Sequence, residues 1–193
     1  TNKVSITNGP AANRGTYVGT IRTNGSSQVD WIYGASATGG TAGFLGVWNM
    51  YNRVNIATTV TNSYDTWSYN SSTIRAANDS TTYRVSFVCG LAEDHFYASY
   101  NSPGVNNGSG NGAGIVGIGY DVTNAFSGRW TWGGFGAASL FSAAGGEHMG
   151  SALGFHFVQA CESAANTNTY NFYGDNGGGN GTALGGLLFR MRM

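Results

Sequence analysis

The sequence predicts an all-β protein: a single-domain, jelly-roll-like β-sandwich of about ten strands joined by long Gly/Asn-rich loops. Three observations carry this. No segment has a helical apolar period, whereas short alternating apolar/polar runs recur along the chain. Turn signals built from Gly, Asn, Asp and Ser separate those runs. Gly accounts for 32 of 193 residues and Pro for 2, while aromatics reach 13%, the composition of β-branched and aromatic strands with uncharged loops. A chain of this length suits one large β domain, so residues 1–193 form a single domain with 1–11 as an N-terminal arm or linker.

Residues 3–7 alternate weakly as a first strand and stop at Asn8-Gly9-Pro10. Residues 16–23 (TYVGTIRT) and 28–33 (QVDWIY) flank Asn24-Gly25, a hairpin signal. Residues 44–56 (FLGVWNMYNRVNI) read as a central strand with the densest aromatic content around one fixed charge. Trp48 and Tyr51 are its expected core anchors, and Arg53 is expected to satisfy backbone carbonyls or a buried acid such as Asp65.

Trp67 and Tyr69 share a strand face, and residues 73–76 form another short strand. Residues 83–91 (YRVSFVCGL) are the clearest strand, with Tyr83, Val85, Phe87 and Cys89 in phase. Residues 95–100 return with Phe96, Ala98 and Tyr100 in phase. Residues 101–114 then read as a long flexible loop, and 115–120 as a short strand. Residues 124–144 alternate aromatics with small residues around Trp130, Trp132 and Phe135. Residues 151–161 form a strand with Leu153, Phe155, Phe157 and Gln159 in phase; 168–173, a glycine-rich hinge at 174–181 and a closing strand at 184–193 follow.

Charged residues are 9%, against roughly 25% in ordinary globular domains. Low charge weakens repulsion between copies and suits a protein that assembles. The formal net charge is zero, which argues against a nucleic-acid partner, since phosphate binding wants a concentrated basic face. No apolar run approaches the ~18 residues of a membrane span. The chain opens TNKVSITNG, with neither a leader pattern nor an initiator Met, as expected of a processed or truncated start.

Cys89 and Cys161 sit in apolar runs and read as buried thiols, with a disulfide between strands as the alternative. Their isolation gives no metal-ligand spacing, and no cofactor is expected. Residues 112–117 match G-x-G-x-x-G, but a Gly/Asn loop precedes them and β-branched residues follow, the wrong context for a dinucleotide site. His95, His148 and His156 make no dyad with adjacent carboxylates, because strand neighbours point to opposite faces. Glu93, Asp94, Asp121 and Glu147 could supply a glycoside-hydrolase pair, but no two stand out.

Exposed aromatics are the more open matter. Trp130 and Trp132 lie beside Arg129, and Tyr170 and Tyr173 lie near a glycine loop. Rings with Asn and Arg nearby suit carbohydrate, whose C–H faces stack while its hydroxyls take hydrogen bonds. These four residues are the candidate glycan contacts; the reading that places the rings in the core stands ahead of this one, because large aromatics dominate cores.

The segments ANRGTYVGTI (residues 12–21), GVWNMYNR (46–53), Trp67-Ser68-Tyr69 with TIRAAN (73–78) and SFVCGLAEDHF (86–96) resemble β-rich domains of tailed-phage and prophage structural proteins. Fibres, spikes and capsid decorations are of this kind. The specific words lie in the first half of the chain. The resemblance implies a virion-surface protein on an extracellular particle, with no catalytic residues to carry over. Its expected partners are copies of itself, a trimer foremost, other virion proteins and host-surface carbohydrate. The alternatives are a secreted carbohydrate-binding module or glycan-active enzyme and, behind these, a subunit of a bacterial surface filament.

Overall fold

Alternating patterns become strands throughout the described chain, and no α-helix occurs among the described residues. The computed structural model describes residues 15–34, 41–62, 64–133, 136, 140–151, 153–165, 168–174 and 185–193, with backbone alone at 140–144 and 151. The expected arm at 1–11, the strand at 3–7, Phe135 and hinge residues 175–181 lie outside these.

Among the described residues, fifteen strands replace the ten or so expected. They are β1 (Gly19–Ile21), β2 (Trp31–Ile32), β3 (Gly43–Leu45), β4 (Val47–Asn49), β5 (Asn55–Val60), β6 (Thr66–Tyr69), β7 (Arg75–Ala76) and β8 (Arg84–Cys89). Then come β9 (His95–Asn106), β10 (Ala113–Tyr120), β11 (Thr131–Gly133), β12 (Leu140–Ser151), β13 (Gly154–Ala165), β14 (Tyr170–Tyr173) and β15 (Gly186–Arg192).

A seven-stranded sheet runs β11-β10-β13-β8-β3-β2, with β7 also paired to β13. A six-stranded sheet runs β5-β15-β9-β14-β6, with β12 on β9, and β1 pairs with β4. Only β3–β8 is parallel among the described ladders. A bridge between Arg129 and Glu147 joins the approach to β11 with β12, so the sandwich curls into a half-barrel.

The two sheets meet through the residues whose phase marked them as inward. Val85, Phe87 and Cys89 from β8 face Phe96, Ala98 and Tyr100 from β9, and all six are buried. Phe87 lies 5.0 Å from Phe96 and 4.7 Å from Phe189, and Tyr83 meets Tyr100 edge-on at 5.2 Å. Complete burial of side chains of this size stabilises by about 1.5–3 kcal/mol each. Cys89 and Cys161 are buried thiols with no disulfide between them, as the sequence led us to expect.

Three expectations are corrected. The central strand at 44–56 divides into β3, β4 and the start of β5. The break comes after Asn49, whose side-chain oxygen accepts from the backbone N–H of Tyr51 and Asn52 and so competes with the sheet ladder. The long loop at 101–114 is mostly strand, because β9 runs on to Asn106. Gly104 permits this: a Cβ there would lie 2.3 Å from the Asn171 carbonyl oxygen of β14. The Asn106 amide then organises the remaining turn, donating to the carbonyls of Gly110 and Gly136. Residues 145–150, unread as a strand, belong to β12. Gly146 allows close contact with β10, since a Cβ there would fall 2.4 Å from Gly117 Cα.

Candidate functional site

Strand alternation gives the β11 region two different faces. Trp130 and Trp132 project to one side and are 53% and 49% exposed. With Asn111, Gly112, Ala113, Ile115 and Ala165 they line a shallow, largely apolar groove of about 340 Å³. Phe126 stacks on Trp130 at 6.4 Å and steadies that ring. Register sets the other indole, since Trp132 lies opposite Ile115 of β10.

Arg129 and Thr131 project to the other side and line a polar groove of about 270 Å³ with Tyr97, Ser99, Asn101 and Glu147. Tyr97 donates its hydroxyl to Glu147 Oε1 at 3.0 Å, and Arg129 lies 3.6 Å from the other oxygen. Thr131 accepts a short hydrogen bond from the Gly145 N–H, which ties β11 to β12. One edge therefore offers two indole faces and, behind them, a set of hydroxyl, amide, carboxylate and guanidinium groups. That pairing matches the needs of a sugar: a ring to stack its C–H face and fork-shaped groups to hold its hydroxyls.

The four expected glycan contacts do not stay together. Tyr170 is 1% exposed and belongs to the core, which overturns its assignment as a glycan contact. It approaches β11 from within: its hydroxyl donates to the Gly133 carbonyl at 3.4 Å, and its ring occupies the space a Cβ on Gly114 would need. Tyr173, half-buried at the end of β14 opposite Thr66, takes no part in either groove. Period two placed Trp130 with Trp132 correctly; Tyr97 and Asn101 were missed, and Glu147 was weighed only for a hydrolase pair, because these residues come from strands remote in sequence.

Of the expected anchors, Trp48 is buried at 1% exposure, and its indole N–H donates to Asp94 Oδ2 at 2.9 Å. Arg53 pairs with the other oxygen of Asp94, not with Asp65. Tyr51 is 68% exposed in the turn that Asn49 organises, so it anchors nothing in the core.

A second constellation of the same kind was not foreseen. Glu162 is fully buried and accepts from Trp67 Nε1 at 2.7 Å, Arg75 Nε at 2.9 Å and the Asn78 backbone at 3.1 Å. Burial pushes its carboxyl up to about 7 in spite of these donors.

Titratable groups also meet at the start of β13. His156 Nδ1 lies 2.7 Å from Asp121 Oδ2, while Asp121 Oδ1 accepts from the Phe157 N–H. Tyr120 stacks between His148 and His156 at 5.4 and 5.3 Å. Burial lowers the His148 pKa, and burial together with the Asp121 charge lifts Tyr120 to about 12. The carboxylates weighed for acid–base work are thus held apart in separate clusters: Asp94 with Trp48, Asp121 with His156, Glu147 with Tyr97.

Residues 112–117 lie largely in β10, paired with β13 and β11, and open no helix. No protein-family model matches this chain, and no curated protein matches it at a significant level.

Proposed function

We propose that this chain is a structural, non-catalytic surface protein of a bacteriophage virion that assembles with copies of itself and holds host-surface carbohydrate against β11. The observation that carries the binding half is the half-exposed Trp130–Trp132 pair backed by a polar groove. Large indole faces left in water cost free energy that a stacked sugar ring removes.

The virion half rests on the sequence resemblance and the very low charge. Apolar side chains outside the core support assembly: Val18 is 65% exposed, Ile21 62%, Tyr33 51% and Tyr64 63%. A homo-oligomer, a trimer foremost, would cover such residues. A secreted carbohydrate-binding module would use the same indole pair as a monomer.

The test combines light scattering with binding to surface polysaccharide from candidate bacterial hosts. Expected are an oligomer at micromolar concentration and polysaccharide binding lost in the Trp130→Ala/Trp132→Ala double variant with melting unchanged. A monomer that still binds through the indoles selects the secreted module. Binding indifferent to both substitutions removes β11 from the mechanism.

A further inference from the structure

The outer face of the seven-stranded sheet carries aromatic rings lying beneath guanidinium groups. Phe155 and Phe157 are two residues apart on β13 and share a face, about 7 Å apart along the strand. The Arg22 guanidinium lies 4.5 Å from the centre of the Phe155 ring, and that of Arg84 lies 3.9 Å from the centre of Phe157. Phe44 of β3 extends the floor, its ring 5.6 Å from Phe155. Ser86 lies between Phe44 and Phe157 in register.

These two arginines differ from Arg53, Arg75 and Arg129, each of which has a carboxylate partner. Neither Arg22 nor Arg84 makes an ion pair among the described residues. Arg84 donates Nε to Gln159 Oε1 at 3.0 Å, a neutral acceptor that leaves the charge uncompensated. It is also half-buried, and burial lowers its pKa, as for a cation with part of its water removed. A guanidinium held over a ring face can still offer an N–H edge for a two-pronged contact with a carboxylate.

We propose that this face binds an acidic saccharide, with carboxylates on separate sugar units taken by Arg22 and Arg84 and a sugar ring resting on the exposed part of Phe155. The site lies apart from the β11 grooves and shares no residue with them. Nucleic acid fits less well: the net charge is zero and Lys3 is the sole lysine, so the diffuse positive field that tracks a phosphate backbone is missing. Two guanidinium forks over an aromatic floor suit discrete carboxylates.

The test titrates the full chain with an oligogalacturonate, its fully methyl-esterified counterpart and an oligothymidylate. The free acid is expected to bind at least ten times more tightly than the ester, and more weakly as salt is raised. Arg22→Met and Arg84→Met, which keep an unbranched side chain over each ring, are each expected to weaken binding about tenfold, as for loss of one charge-assisted contact. The Trp130→Ala/Trp132→Ala variant is expected to bind the acid normally, which separates this site from the one on β11. Equal binding of acid and ester, no binding of the acid at millimolar concentration, loss only in the tryptophan variant, or tighter binding of oligothymidylate through the same arginines would each overturn the proposal. If an arginine variant fails to fold, the acid–ester comparison on the unaltered chain decides.

Discussion

The indole N–H of Trp67 donates to Glu162 Oε2 at 2.7 Å and so joins β6 of one sheet to β13 of the other. Trp48 and Asp94 repeat the device at 2.9 Å, and in each case an arginine takes the second carboxylate oxygen. In a chain with 9% charged residues, two of the few acids lie inside the sandwich. Removing one member of a buried network costs more than the network's net worth, because its partners are left unsatisfied.

Glu162 makes stability depend on pH. Its carboxyl is raised from 4.5 to about 7, so between those values the folded state holds more protons than the unfolded one. Stability from this group is therefore full below pH 4.5 and falls as pH rises through about 7. The loss is at most roughly 3–4 kcal/mol. Denaturant unfolding at pH 5 and pH 8 is expected to show this fall in the unaltered chain relative to Glu162→Gln. Parallel pH profiles for the two proteins would refute it.

Arg53 and Tyr51 lie two residues apart and are expected to respond very differently. Arg53→Ala strands the buried Asp94 carboxylate and is expected to cost about 2–4 kcal/mol, reduced from a fully buried pair because Arg53 is 20% exposed. Tyr51→Ala, in an exposed turn, is expected to change stability by no more than about 0.5 kcal/mol. Urea midpoints of the two variants check the contrast, and similar values would remove it.

Gly114 is required by the ring beneath it. A Cβ there would lie 2.2 Å from Tyr170 Cε1, so Gly114→Ala must displace the ring that props β11. The expected cost is about 1–3 kcal/mol. Polysaccharide binding through Trp130 and Trp132 should weaken in the same variant. A melting temperature within a degree of the unaltered protein would show that the ring yields freely.

The thiols should be silent. Cys161 is buried, and desolvation pushes it up to about 12, while Cys89 is 1% exposed. Neither is expected to react with a thiol reagent at pH 8 in the folded protein, and both should react on unfolding, since the thiolate is the nucleophile. Rapid reaction in the native state would contradict the burial.

By itself the sequence determined the class of structure and much of its core. Period-two alternation is a local property, so Val85, Phe87 and Cys89 were legible as one inward face, as were Phe96, Ala98 and Tyr100. It also placed Trp130 and Trp132 on one face of their strand. Strand phase does not say which of two faces meets water, and that depends on the sheet lying opposite. Only the tertiary structure therefore decided that Tyr170 props β11 from the core while the two tryptophans stay exposed. It alone brought Asp94 to Arg53 across 41 positions and Glu162 to Trp67 across 95, pairings that no local spacing encodes. The same holds for Arg22 and Arg84, which the fold lays over Phe155 and Phe157 and which make no ion pair among the described residues.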